Sequence, residues 1–243
     1  MAEEGFDNTA RQVDLELANE QTAETYLNDL GLSWKVLEGK KVLDLGAGLA
    51  GFAQAAEKRG VNVISMDAHP EWWKEGKMPK NVPYVVGDAN QLPLKAETFD
   101  IVVARAAVHS MVETKEDLEA FLKEVKRVLK PGGEFRFGPG SVNTRPLRQD
   151  EWKKWFELLT KVRNKEEITA EEDAWGAKVF PGIEQEEQEQ KDFDKMSTEQ
   201  RMAKLSELSL NRLQSIDPTI TEHVGNKARE RYLDTYYVMK KPG

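Results

Sequence analysis

Three glycines and a nearby acid have the residue types and spacing expected at a nucleotide-binding turn. Gly46, Gly48 and Gly51 spell GxGxxG directly after the apolar segment 41–45. A strand, a glycine loop and a helix in this order bring backbone N–H groups and a positive helix end towards an anionic or polar ligand. Asp67 lies about 20 residues further on, where a ribose-binding acid is expected. The spacing alone suits FAD and NAD as well as other nucleotides.

Asp44 favours a cationic ligand over one that carries phosphates. This residue lies inside the apolar segment that leads into the glycines. Its carboxylate would repel a diphosphate at the same turn, at a cost of about 1 kcal/mol or more in a partly dry cleft. S-adenosylmethionine carries a sulfonium and an ammonium and has no phosphate, so an acid beside the turn suits it. We therefore expect S-adenosylmethionine as the cofactor and S-adenosylhomocysteine as its product.

Two further acids end the neighbouring predicted strands. Asp67 follows the β-rich run 61–66, and Asp88 follows the run 82–86. Open α/β sheets bind their ligands at the carboxyl ends of the strands. With Asp44, these residues place three acids on one rim, which favours a cationic or hydroxyl-rich ligand.

The elements that must position these acids alternate between strands and helices. The predicted strands occupy 41–45, 61–66, 82–86, 99–104 and 134–137, and the helices between them occupy 49–59 and 115–129. This alternation predicts right-handed crossovers and a parallel sheet. Thr114 and Asp117 form a predicted capping box at the start of the second helix. Two late strands, near 216–224 and 232–240, are expected to form an antiparallel hairpin at the sheet edge.

Four stretches between about residues 40 and 138 match a known pattern in order and spacing. They read VLDLGAGLAGFAQAAEKRG, VISMDAHP, VVGDANQLPLKAETFDIVVARAAVHSM and FLKEVKRVLKPGGEFRF. Together they resemble the class I S-adenosylmethionine-dependent methyltransferases, in the broad group with small-molecule and lipid methyltransferases. The resemblance implies an α/β fold with a Rossmann-like, seven-stranded, mostly parallel sheet, helices on both faces and an antiparallel C-terminal strand.

The resemblance also implies how the methionine end of the cofactor is held. Gly46, Ala47 and Gly48 would form the turn beneath it. Asp44 would attract its ammonium directly or through water. The backbone carbonyl near Arg105, at the end of the fourth strand, would meet the same ammonium.

The adenosine end would be held by the second and third strands, again by resemblance. Asp67 would accept both ribose hydroxyl protons, and Ala68 would lie against the adenine face. Asp88 and the backbone of Ala89 would read the adenine amino edge.

A catalytic base is needed only if the methyl acceptor is an OH, an NH or an acidic CH group. His109 is the histidine placed where a base could reach the methyl group, and its alternative role is packing or capping. His69 and His223 are weaker candidates. No metal site is expected, because the chain has no cysteine and three histidines. Tyr26 is expected to pack in the core, with closure over the cofactor as the alternative.

The chain of 243 residues is expected to form one domain, 1–243, of four parts. These are an N-terminal helical cap (1–39), a cofactor-binding core (40–140), a helical insertion or substrate cap (141–215) and C-terminal edge strands (216–243). Trp175 and Phe180, in the insertion, are candidates to cover the substrate.

Composition and charge limit the classes of partner that the chain is expected to bind. The formal net charge of −8 argues against nucleic acid, and no run of 18 apolar residues predicts a membrane span. We expect a cytoplasmic enzyme that acts on a small-molecule acceptor. Two alternatives stay open: a flavin or nicotinamide oxidoreductase that uses the GAGLAG loop, and a non-catalytic regulatory protein that binds the cofactor.

Overall fold

Seven strands form one sheet in the computed structural model, which describes residues 20, 23–68, 81–112, 114–138, 154, 161, 166–172, 175, 198–224 and 235–243. In chain order the strands are β1 (Lys41–Leu45), β2 (Asn62–Asp67), β3 (Tyr84–Val86), β4 (Phe99–Arg105), β5 (Leu129–Gly138), β6 (Thr221–Val224) and β7 (Thr235–Lys240). Their spatial order is β3-β2-β1-β4-β5-β7-β6. The first five pair in parallel, and β7 pairs antiparallel with β5 and β6. The predicted mostly parallel sheet with an antiparallel C-terminal strand is confirmed.

Six helical segments of the described part of the chain accompany the sheet. They are α1 (23–29), α2 (Trp34–Leu37), α3 (Gly51–Glu57), α4 (Val108–Met111), α5 (Lys115–Val128) and α6 (Thr198–Ile216). Further described helical residues lie at 154, 161, 170–172 and 175. The predicted boundaries of α3 and α5 agree with these to within two residues. The predicted division into cap, core and insertion remains a prediction, since most of 141–197 lies outside the described residues.

The two faces of the sheet bury two separate apolar layers, so helices cover both. Along β1, Leu43 and Leu45 belong to one layer and Val42 belongs to the other. The first layer is shared with α5 and α6, and the second with α1, α2 and α3. Because side chains alternate along a strand, Asp44 lies on the α1 and α3 side. Its strand neighbour in the register is Ser65 of β2.

The helix α5 has clear local sequence signals at its start and along its buried face. Thr114 and Asp117 exchange the two hydrogen bonds of a capping box. The buried stripe of this helix consists of Leu118, Phe121, Leu122, Val125 and Val128. The helix therefore lies flat on the sheet and spans the connection from β4 to β5.

The strand β5 starts earlier than the sequence predicts. It runs from Leu129, where the sequence predicts a start at residue 134, and it includes Pro131, Gly132 and Gly133. Its pairing with β4 shifts register between Phe99 and Ile101, so the extra residues form an irregularity. Gly132 adopts φ +76° there and donates its N–H to the carbonyl of Lys241.

The order of the strands reverses between β1 and β4, which are neighbours although β2 and β3 lie between them in sequence. Such a switch point opens a crevice at the carboxyl ends of the strands. The predicted rim acids end β1 and β2 or follow β3, so the topology places all of them at this edge.

Candidate active site

A cleft of about 340 Å³ opens at the carboxyl edge of the sheet. Its volume lies in the usual range of about 300–1,000 Å³ for small-molecule sites. The residues that line it come from the ends of β1 and β2, from the loops after β3 and β4, and from α4: Leu45, Gly46, Met66, Asp67, Ala68, Gly87, Asp88, Ala89, Ala106, Ala107 and Met111. The cleft thus lies where the strand order predicts it.

Gly46 allows the loop after β1 to approach α4 closely. Its φ of +72° belongs to the left-handed region that side chains disfavour. A Cβ atom added there would lie less than 3.0 Å from Cβ of Ala107 and 2.8 Å from Cε of Met111. The glycine is therefore required by both backbone shape and space, and it fixes one wall of the cleft.

The backbone N–H groups of the glycine loop already have acceptors within the protein. Gly46 and Ala47 donate to the carbonyl of Met66, at 2.9 and 3.1 Å. Gly48 donates to Oδ2 of Asp67 at 2.9 Å. These bonds tie the loop to the end of β2, and a diphosphate could use the same N–H groups only by displacing them. The arrangement disfavours a flavin or nicotinamide site.

Asp44, in the strand that ends at the cleft, is buried, with 1% of its surface exposed. Tyr26 donates its hydroxyl hydrogen to Oδ1, while Oδ2 accepts no hydrogen bond from any described residue. Burial raises the pKa of Asp44 to about 7; the charge of Asp67 adds to this rise, and the Tyr26 hydrogen bond and the Arg105 charge oppose it. Its chain neighbour Leu45 lines the cleft, while Asp44 itself does not.

The residues predicted for the adenosine end line the cleft together. Asp67, Ala68, Asp88 and Ala89 all contribute to its wall. Oδ1 of Asp88 accepts the N–H of Asn90 at 2.8 Å, which fixes the loop after β3 in an Asx turn. Their contacts with a cofactor remain predictions, but the fold brings them to one place.

Arg105 lies at the end of β4, as predicted, but its side chain is committed elsewhere. Its Nε donates to Oδ2 of Asp29 in α1 at 2.7 Å. The cleft is lined instead by the next residues, Ala106 and Ala107. Ala106 has φ +49°, an uncommon value for a residue with a side chain. Any contact of Arg105 with the cofactor would therefore come from its backbone.

Several lining residues were missed by sequence reasoning. They carry no charge and were assigned no binding role, although they lie within the stretches that carry the resemblance: Leu45, Met66, Gly87, Ala106, Ala107 and Met111. The run of small residues after β4 was the available signal for Ala106 and Ala107, because small side chains leave room for a ligand.

The histidines differ in what the structure describes. His109 belongs to α4, between Ala107 and Met111 of the cleft wall, and only its backbone position is described. His223 lies on β6, where its ring accepts or donates a hydrogen bond with Oγ1 of Thr221 at 2.8 Å and stacks on Tyr236. His69 lies outside the described residues.

The aromatic candidates divide in the same way. Tyr26 is buried and stacks on Phe52, with ring centroids 4.5 Å apart, so its expected place in the core is confirmed. Trp175 has Nζ of Lys154 4.7 Å from its ring centroid. Phe180 lies outside the described residues, and so its predicted role as a cover over the substrate stays a prediction.

The described residues contain neither a metal-binding cluster nor a membrane-spanning helix. Among them, no three His, Asp or Glu side chains are grouped to hold a metal ion. None of the described helices combines the length and the apolar character needed to cross a bilayer.

Comparisons with known proteins agree with this geometry. The family profile described as a methyltransferase domain matches residues 43–137. The chain is 38% identical over 95 residues to a demethylmenaquinone methyltransferase of Streptomyces griseus, covering 39% of this chain and 40% of that protein. It is 39% identical over 100 residues to an uncharacterized methyltransferase of Synechocystis sp., covering 40% and 45%.

A solved structure shows the same kind of likeness. An S-adenosylmethionine dependent methyltransferase from Mesorhizobium loti is 25% identical, with a TM-score of 0.37 over 48% of this chain and 51% of that chain. The chain spans about half or less of the length of the curated relatives it matches. The matched segment 43–137 contains β1 to β5 except for the first two residues of β1 and the last of β5, and with them most of the cleft. Residues 43–137 therefore match a methyltransferase domain, and the identity to named methyltransferases extends over about half of the chain or less.

Proposed function

We propose that this protein is an S-adenosylmethionine-dependent methyltransferase that acts on a small-molecule acceptor. The observation that carries the proposal is the buried Oδ2 of Asp44, the residue next in sequence to Leu45 of the cleft; this oxygen accepts no hydrogen bond within the described structure. A buried carboxylate oxygen without a donor costs free energy unless it gains a partner. An ammonium group bound above the loop would supply that partner, directly or through a water molecule.

The remaining cleft residues fit the other parts of the cofactor. Asp67 would receive the ribose hydroxyls, and its carboxylate is held in orientation by the N–H of Gly48. Ala68 would lie against the adenine ring, while Asp88 and the backbone of Ala89 would accept and donate at its amino edge. Charged acceptors suit hydroxyl donors well, because such hydrogen bonds are stronger than those between neutral groups.

The chemistry needs alignment more than acid catalysis. When bound, S-adenosylmethionine supplies a methyl carbon on a sulfonium, so the acceptor's electron pair forms the new bond while the carbon–sulfur bond breaks and sulfur keeps its pair. The protein's task is to hold the acceptor in line and keep water away. Leu45, Met66 and Met111 give the cleft apolar walls that serve this purpose. His109 would take the proton from an OH, NH or acidic CH acceptor.

A small-molecule acceptor is supported by the relatives and by charge. The relative from Streptomyces griseus is named for demethylmenaquinone, and the match covers 40% of that protein. The net charge of −8 disfavours nucleic acid as an acceptor. We also propose a cytoplasmic location, which the composition without cysteine favours.

Calorimetric titration with S-adenosylhomocysteine, NADH and FAD tests the proposal. We expect binding of S-adenosylhomocysteine alone, with one site per chain. Binding of NADH or FAD without S-adenosylhomocysteine would overturn it. If the cofactor binds, a turnover screen with S-adenosylmethionine and small phenols, quinols, amines and thiols should yield S-adenosylhomocysteine. Cofactor binding without turnover on any acceptor class would favour the non-catalytic alternative.

A further inference from the structure

Two side chains of α1 hold the carboxyl ends of β1 and β4. The hydroxyl of Tyr26 donates to Oδ1 of Asp44 and accepts the backbone N–H of Arg105 at 3.3 Å. One helical turn later, Asp29 accepts Nε of Arg105 at 2.7 Å. Residues three apart lie on one face of a helix, so both contacts come from the same side of α1.

These contacts meet at the point where the cleft opens. The strands β1 and β4 are direct neighbours, with Asp44 opposite Val103 in the register. The cleft lining includes Leu45, the last residue of β1, and Ala106, the first residue after β4. A helix that fixes both strand ends therefore also fixes the distance between two walls of the site.

The ring of Tyr26 extends the connection to a third element. It stacks on Phe52 of α3, the helix that the glycine loop enters. The hydroxyl thus lies in an apolar layer, where it needs the polar partners that it has. Its partner Asp44 and the adjacent Ser65 each keep an oxygen that no described residue hydrogen-bonds. These neighbouring buried oxygens and the Tyr26 hydroxyl form a small polar cluster within an otherwise apolar layer.

We propose that Tyr26 is a positioning residue for the cofactor: its hydroxyl holds the Asp44 carboxylate in one orientation and sets how strongly the cleft attracts the cofactor's ammonium. This inference rests on the proposed function. It assigns to the N-terminal helix, outside the matched segment 43–137, a part in cofactor affinity.

The charges around Asp44 make the expected cofactor affinity depend on pH. Three groups face Asp44: Tyr26 from α1, Asp67 from β2 and Arg105 from β4. Arg105 also forms an ion pair with Asp29. Burial and the charge of Asp67 raise the pKa of Asp44 to about 7, and the other two groups lower it. A bound ammonium favours the ionised carboxylate, so binding near pH 7 releases a proton. Affinity should therefore rise as pH increases through about 7 and then level off.

Loss of the Tyr26 hydroxyl removes one of the groups that lower this pKa. In Tyr26→Phe the midpoint of the affinity profile should move to higher pH. A shift of about one unit corresponds to about a fivefold weaker affinity at pH 7, because the ionised fraction of Asp44 falls from about one half to about one tenth. The ring and its stacking on Phe52 are kept in this variant, so the change reports on the hydroxyl.

The test is calorimetric titration of S-adenosylhomocysteine into the full chain, at pH values from about one unit below to about two units above the pKa of Asp44, in two buffers of different ionisation enthalpy. The wild type should release a proton on binding at and below pH 7. Tyr26→Phe should shift the profile upwards, and Asp44→Asn should abolish the pH dependence.

The matched control is Tyr236→Phe, which also removes one hydroxyl from a side chain buried to 7% exposure in the same layer. The ring of Tyr236 contacts His223 and Arg136, at the other side of the sheet centre, and its variant should bind like wild type. If Tyr26→Phe binds with wild-type affinity and midpoint, the inference is wrong and the proposed function stands. If the wild type does not bind S-adenosylhomocysteine, the proposed function itself fails.

Proton release by the wild type decides the case even if Tyr26→Phe does not fold. If binding at and below pH 7 is tight and its enthalpy is the same in both buffers, no proton is released. The Asp44 carboxylate is then not coupled to the ligand. That result would overturn the inference without any variant.

Discussion

The most demanding position of the site for any side chain is Gly46, and Gly46→Ala is therefore the most informative substitution. Two costs act together there. The φ of +72° imposes a strain of about 1–2 kcal/mol on a residue with a Cβ atom. The new Cβ would also press on Ala107, the N-cap of α4, and on Met111 within that helix, and such overpacking costs about 1–3 kcal/mol. We expect the free energy of unfolding to fall by about 2–5 kcal/mol.

Gly48→Ala is the control that separates the two costs. Its φ is +53°, so the backbone strain is similar, but an added Cβ would meet no atom within 4 Å. This variant should lose only about 1–2 kcal/mol. Urea unfolding of both variants, analysed by linear extrapolation, measures the difference. Because Gly46→Ala pushes α4 away from the loop, it should also weaken S-adenosylhomocysteine binding more than Gly48→Ala does.

The comparison has a clear refuting result. If the two alanine variants unfold at the same urea concentration, the close approach of the loop to α4 does not exist in solution. Ala107 and Met111 would then lie further from the glycine loop than the structure places them.

Three further substitutions address the acids and the candidate base. Asp67→Asn should weaken S-adenosylhomocysteine binding about 10- to 100-fold by calorimetry, because charged hydrogen bonds contribute about 1.5–3 kcal/mol; unchanged affinity would remove Asp67 from the ribose contact. Asp44 has a folded pKa of about 7 against an ordinary 3.8, so wild-type stability should fall as pH rises from about 4 to about 7, by about 4 kcal/mol in total. This loss should be absent in Asp44→Asn when urea unfolding is followed across that range, and an identical slope in both proteins would contradict the buried carboxylate. His109→Gln should lower kcat by about 100-fold for a hydroxyl acceptor while leaving S-adenosylhomocysteine affinity unchanged, and full activity would show that no base acts from this position.

The fold could be predicted where local patterns are strong. The run 41–45 became β1 with those bounds, because an apolar stretch of strand length ends at the glycine turn. The helix α5 followed from its capping box and its repeating apolar positions. The strand β5 was predicted too short, because proline and glycine usually interrupt strands and the irregular pairing with β4 depends on tertiary contacts.

The site was predictable at the level of elements and less so at the level of contacts. Strand ends bring Asp67 and Asp88 to the cleft by topology alone. The pairing of Tyr26 with Asp44 joins residues 18 apart in sequence, and the pairing of Arg105 with Asp29 joins residues 76 apart. Neither pair has a local sequence signal, because the packing of α1 on the sheet creates both.

The central claim is that Asp44 attracts the cofactor's ammonium from the strand that leads into the glycine loop. Its most direct measurement compares the affinities of S-adenosylhomocysteine and its deaminated analogue, for the wild type and for Asp44→Asn, by calorimetry at a pH above the pKa of Asp44. We predict that the wild type prefers S-adenosylhomocysteine and that Asp44→Asn loses most of this preference. An equal preference in both proteins would contradict the claim.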